Sequence, residues 1–71
     1  MNNGVLTPEL ATKILTMMSG IDEGNETIMT DSFTRFIQTF PEHRRIAEQI
    51  YERENARPFR IYEERVSRRG Y

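Results

Sequence analysis

Apolar residues in this chain recur at intervals of three and four in four separate stretches, and no purely apolar run exceeds two residues. Leu10, Ala11, Ile14, Leu15 and Met18 make the first stripe, and Phe33, Phe36, Ile37 and Phe40 the second. Ile46, Ala47, Ile50 and Tyr51 make the third; Phe59, Tyr62 and Val66 make the fourth, with Ile61 on its flank. Such spacing places side chains on one face of a helix. Thr27-Ile28-Met29 has the look of an extended piece, but it has no second strand to pair with. The pattern therefore predicts an all-α fold, a small bundle of three to four short helices. Runs this short do not span a bilayer.

Punctuation between the stripes supports the same division. Thr7 suits an N-cap, Pro8 the first helical position and Glu9 the first turn, while Ser19-Gly20 offers a stop, so a helix is predicted over 8–19. Residues 20–30 read as a polar connection. Thr30-Asp31 then starts a second helix that ends near Thr39, because the residue before Pro41 disfavours the helical region. Pro41 opens the third helix, with Glu42 in its first turn and Arg44, Arg45, Glu48, Glu52 and Arg53 on its polar face. Asn55-Ala56-Arg57-Pro58 is a break or sharp kink. A fourth helix runs from Pro58 to about Arg69, with Gly70 as its stop. Pro41 at the second junction predicts two helices meeting at a steep angle and not one rod.

The interior available to such a bundle is small. The chain has 71 residues, of which 37% are hydrophobic, and only three of these are leucine while four are methionine. It is expected to form a single small helical domain over 1–71, with a flexible N-terminus at 1–6 and a tail at 70–71. Phe33, Phe36, Ile37, Ile46, Ile50 and Tyr51 are expected in its core. A core of this size leaves a lone subunit marginal, so the bundle is expected to be completed by self-association, most simply as a symmetric homodimer.

Little in the sequence carries chemistry. With no cysteine there is no disulfide, no thiolate metal ligand and no thiol nucleophile. His43 is the sole histidine, too few ligands for zinc, and reads as a first-turn surface residue. The acidic stretch Asp22 to Asp31 echoes a calcium loop, but either register lacks the bidentate glutamate at the twelfth position, so it reads as a solvated loop. No nucleophile elbow surrounds Ser19, Ser32 or Ser67, and the four glycines form no phosphate-cradling loop. Glu63 and Glu64 point about 100° apart on a helix and share no site. The expectation is a protein that is not an enzyme, with no cofactor and no metal site. The N-terminus lacks the charged and apolar regions of a secretory signal, and a cytoplasmic location is the expectation.

The charge is divided along the chain. Residues 1–34 carry Lys13 against Glu9, Asp22, Glu23, Glu26 and Asp31, a net of −4; residues 35–71 carry nine arginines against six glutamates, a net of +3. Arginine and aromatic side chains are enriched at protein-interface hot spots and also stack on nucleic-acid bases. On that composition the partner-binding surface is placed at Arg57, Phe59, Arg60, Tyr62, Arg65 and Arg69, with Tyr51 as a neighbour. The alternative is that Phe59 and Tyr62 close the domain's own core. Interleaved glutamates oppose a phosphate track, which favours a protein partner over nucleic acid. The sequence thus points to a non-enzymatic interaction module, an adaptor or inhibitor that binds a larger protein, as small phage-encoded inhibitors do. A nucleic-acid-binding regulator using the C-terminal arginines and a minor structural subunit of a larger assembly are the other readings.

Overall fold

Four α-helices and one 3-10 turn follow each other along the chain in a computed structural model that describes residues 6–68. The helices are α1 (Pro8–Ile21), α2 (Glu26–Thr39), α3 (Arg44–Asn55) and α4 (Phe59–Arg68), with the 3-10 turn Pro41–His43 leading into α3. Helix accounts for 84% of the described residues, and none of them is in a strand. The fold class is all-α, as the apolar spacing predicts. Arg69, the stop at Gly70, the tail at 70–71 and residues 1–5 of the N-terminal segment lie outside the described residues.

The caps at the start of α1 are those expected. The Leu10 amide donates to the Thr7 hydroxyl at 3.2 Å, and Pro8 occupies the first turn, where its missing N–H costs nothing. The end differs. Gly20 does not stop the helix; α1 runs through it to Ile21, and the glycine with positive φ is Gly24, at +85°, in the turn beyond. The polar connection expected over 20–30 is therefore only the short turn before Glu26. Asn25 accepts the Ile28 amide at 3.1 Å and caps α2, so that helix starts well before Thr30. Thr30, expected as a cap, instead lies inside the helix, where its hydroxyl donates to the Glu26 carbonyl at 2.7 Å. The earlier start brings Met29 onto the same buried face as Phe33 and Phe36.

Pro41 breaks the chain as expected. α2 ends at Thr39, Phe40 takes φ −129° and ψ 68°, and α3 begins after the 3-10 turn, so α2 and α3 are separate helices. The break at 55–58 is also present. Ala56 closes α3 in the left-handed region at φ 54°, and the Pro58 carbonyl accepts the Ile61 amide at 3.0 Å as α4 starts. The Phe59 amide, the next orphan donor, is capped by Glu52 of α3 at 3.0 Å.

α1 packs chiefly on α3, and α2 is bounded by α1, α3 and α4. Phe33 and Leu15 are completely buried at the centre of a core that also holds Ala11, Met29, Phe36, Ala47, Ile50, Tyr51, Phe59 and Tyr62. Of the expected core, Phe33, Phe36, Ile50 and Tyr51 are buried, while Ile37 and Ile46 are half-buried against it. His43 is not on the surface. Its ring is buried, 6.5 Å from that of Phe40, and its Nε2 donates to the Leu6 carbonyl at 2.6 Å, tying the chain before α1 to the start of α3.

Candidate interaction surface

Aromatic side chains from three helices meet in the interior. Tyr51 of α3 lies edge-on to Phe33 of α2 at 5.7 Å and to Phe59 of α4 at 5.8 Å. Phe59 stacks on Tyr62 at 4.7 Å, and Tyr62 sits 5.8 Å from Tyr51. The Tyr62 hydroxyl shares a buried hydrogen bond of 2.7 Å with Thr34. Burial pushes the Tyr51 phenol above its ordinary value, against the opposing pull of the Arg65 charge. These are the aromatics that composition assigned to a partner surface. They close the core instead, and Tyr51, Phe59 and Tyr62 are unavailable as exposed anchors.

The arginines assigned with them divide. Arg57, in the linker before α4, and Arg65, on α4, both pair with Glu26 at the start of α2, so one carboxylate ties three parts of the chain. Arg60 is the most exposed of the three that are described, at 72% of its side chain, and stands 4.0 Å from Glu64. Arg44, outside the expected set, donates to Glu48 at 3.2 Å and to Glu63 at 2.6 Å, and its guanidinium lies 5.6 Å from the centre of the Phe59 ring. Desolvation works against its charge, and the bonds to the two glutamates outweigh it, so its pKa is raised. Arg44, Arg57 and Arg65 are thus engaged within the fold, Arg44 with the C-terminal half itself and the other two with α2. These charges brace α4 against α2 and α3.

The surface left uncovered is elsewhere. Leu10, read from spacing as part of the buried stripe of α1, is 47% exposed, Met17 is 59% and Ile21 76%. Ala11, Leu15 and Ser19 are the residues of α1 that turn fully inward. At 100° per residue, positions 10, 14, 17 and 21 fall within about 60° of one line, so α1 carries a second apolar stripe beside its buried one. Ile14 lies half-buried between the two stripes. Ile28, in the first turn of α2, is 49% exposed. With Met18, Phe36 and Phe40 it lines a groove of about 470 Å³, whose polar wall includes Asp31 and Arg35.

The outward stripe was available in the sequence as a 4-3-4 spacing in Leu10, Ile14, Met17 and Ile21. It is hidden there by the competing stripe through Ala11 and Leu15, because hydropathy alone does not say which of two adjoining apolar faces turns inward. Among the described residues no group of three or more His, Asp or Glu is placed to hold a metal ion. None of their helices is long and apolar enough to cross a membrane. No protein-family model, curated protein or solved structure matches this chain.

Proposed function

We propose that the chain is a non-enzymatic protein-interaction module, which pairs with itself and engages a larger protein as an adaptor or inhibitor. The observation that carries this reading is the exposure of Leu10, Met17, Ile21 and Ile28 on a body that already has a filled aromatic core. Large apolar side chains concentrated on one helix of a small protein mark a contact surface. The proposal therefore moves the contact surface from the C-terminal segment to the outer face of α1 and the start of α2. Arg57 and Arg65 act as ties within the fold. The state of His43 supports a non-catalytic role, since the only histidine is buried and its Nε2 is engaged by a backbone carbonyl.

Affinity capture from a lysate of the native cell, with and without nuclease, tests the reading. The wild-type chain is compared with Met17→Lys/Ile28→Lys and with Arg60→Glu. A protein held in constant ratio, insensitive to nuclease, lost with the apolar pair and kept with Arg60→Glu, is the expected result. Capture that vanishes with nuclease and with Arg60→Glu, and falls steeply with salt, would instead favour a nucleic-acid regulator.

A further inference from the structure

We infer that the outward stripe of α1 packs against the same stripe of a second copy of this chain, antiparallel and about a two-fold axis. The inference rests on the interaction-module reading and names the occupant of its apolar face. The stripe is self-complementary in that orientation. Leu10 faces the second copy's Ile21, Ile14 faces Met17, and the reciprocal pairs follow from the same axis, which passes between Leu15 and Thr16 in level. The 4-3-4 spacing is that of alternating inward positions in a two-stranded helical coil. The stripe rises about 16 Å along the helix, three turns of contact.

Charge selects the antiparallel orientation. The carboxyl end of α1 carries Asp22 and Glu23 and has no basic residue in its last turn. A parallel pair would set two such ends side by side, whereas an antiparallel pair sets each beside the amino-terminal half of its neighbour. Lys13, the only basic residue in the first 34, then comes beside the last turn of the second copy's α1, while Glu9 comes level with its Asp22, so the half that faces the acidic end is neutral where a parallel pair would set acid against acid. Gly20 lies on that flank. A Cβ built there meets no atom within 4 Å, so nothing inside the subunit requires a glycine at this helical position. In the pair, its bare backbone leaves room for the stem of the neighbour's Lys13.

The area is adequate for a reversible dimer. Leu10, Met17 and Ile21 expose on the order of 350 Å² between them, in the range of a functional patch on a small protein. Counted on both copies, with Ile14 and the flanking polar atoms, the interface reaches roughly 900 Å², at the weak end of specific association, with a Kd in the micromolar range.

The absence of cysteine gives a direct test on the full chain. Leu10→Cys and Ile21→Cys are prepared separately and left to equilibrate in a glutathione redox buffer, alone and mixed. Antiparallel packing brings position 10 to position 21 and keeps each at least about 16 Å from its own equivalent, beyond disulfide reach. The mixture is expected to give the mixed disulfide at least about fivefold over either self-disulfide, which statistical pairing does not do. Lys13→Glu is expected to weaken the dimer about three- to tenfold.

Self-disulfides formed by each variant alone would overturn the antiparallel pair. A statistical mixture would do the same, as would a chain that sediments as a monomer and forms no disulfide. If the wild-type chain is monomeric but Met17→Lys/Ile28→Lys still abolishes capture of a larger protein, self-pairing fails and the interaction module stands. If the pair of lysines leaves that capture intact, the module's assigned face fails, whatever the disulfides show.

Discussion

Ser19 and Gly20 sit next to each other near the end of α1 and face opposite fates. The Ser19 side chain is buried, and its Oγ has no hydrogen-bond partner among the described residues. A buried hydroxyl without a partner is destabilising, so Ser19→Ala is expected to raise stability by about 1 kcal/mol, read from the midpoint of urea unfolding. Gly20 is exposed, helical and surrounded by open space. Gly20→Ala, measured in dilute solution where copies are apart, is expected to add about 0.5–1 kcal/mol by lowering the entropy of the unfolded chain. Gly24 is the opposite case. Its φ of +85° is a conformation that side chains with a Cβ rarely adopt, and Gly24→Ala is expected to cost about 1 kcal/mol although its Cβ would meet no neighbour. The two glycines differ in backbone conformation alone, so equal effects of the two substitutions would contradict the described end of α1.

At the scale of the helices, most boundaries and three of the four stripes were legible because prolines and caps act locally. Thr7-Pro8, Pro41 and Pro58 each stand where the structure starts or breaks a helix. Thr30 misled because a hydroxyl that caps a helix end also bonds backward within a helix, and the Asn25 signal five residues earlier was the effective one. The candidate site was less legible. Composition found Tyr51, Phe59 and Tyr62 together but does not distinguish a core aromatic cluster from a surface one. Their assembly depends on α4 folding back across α2 and α3, a long-range fact.

The ties of that fold give two element-scale expectations. Glu26 holds both Arg57 and Arg65 in half-exposed pairs. Glu26→Gln is expected to cost about 0.5–1 kcal/mol at low salt and much less at about 1 M, since exposed pairs are screened. Thermal melts at the two ionic strengths check this. Tyr51 sets an alkaline limit. Its folded-state pKa lies above the ordinary 10.0 because of burial. The unfolded chain therefore loses that proton first, and the associated stability is whole below about pH 10 and falls as pH rises through the folded value. Denaturant midpoints at about pH 8 and about pH 11 should fall further apart in the wild type than in Tyr51→Phe.

For the whole molecule, a Cα radius of gyration of 11.8 Å and extents of 38 × 23 × 18 Å leave space for one layer of core between the helices. Such a core has no redundancy. Phe33, completely buried and in ring contact with Tyr51 and Tyr62, is expected to cost about 3–5 kcal/mol when cut to alanine. That is comparable to the whole stability of a chain this size, so Phe33→Ala should lose most of its helical circular dichroism at 25 °C. Substitutions on the outer face of α1 behave differently, because that face contributes little to the subunit's own interior. Met17→Lys should keep the helical spectrum and change only what the molecule associates with.

Self-pairing through the outer face of α1 is tested most directly by sedimentation velocity on the wild-type chain and Met17→Lys, from about 1 to about 500 µM. A wild-type boundary that moves from monomer to dimer through the micromolar range, beside a variant that stays monomeric with unchanged helix content, is the result expected. A wild-type chain that remains monomeric at about 500 µM, or a Met17→Lys variant that dimerises as readily as the wild type, would contradict it.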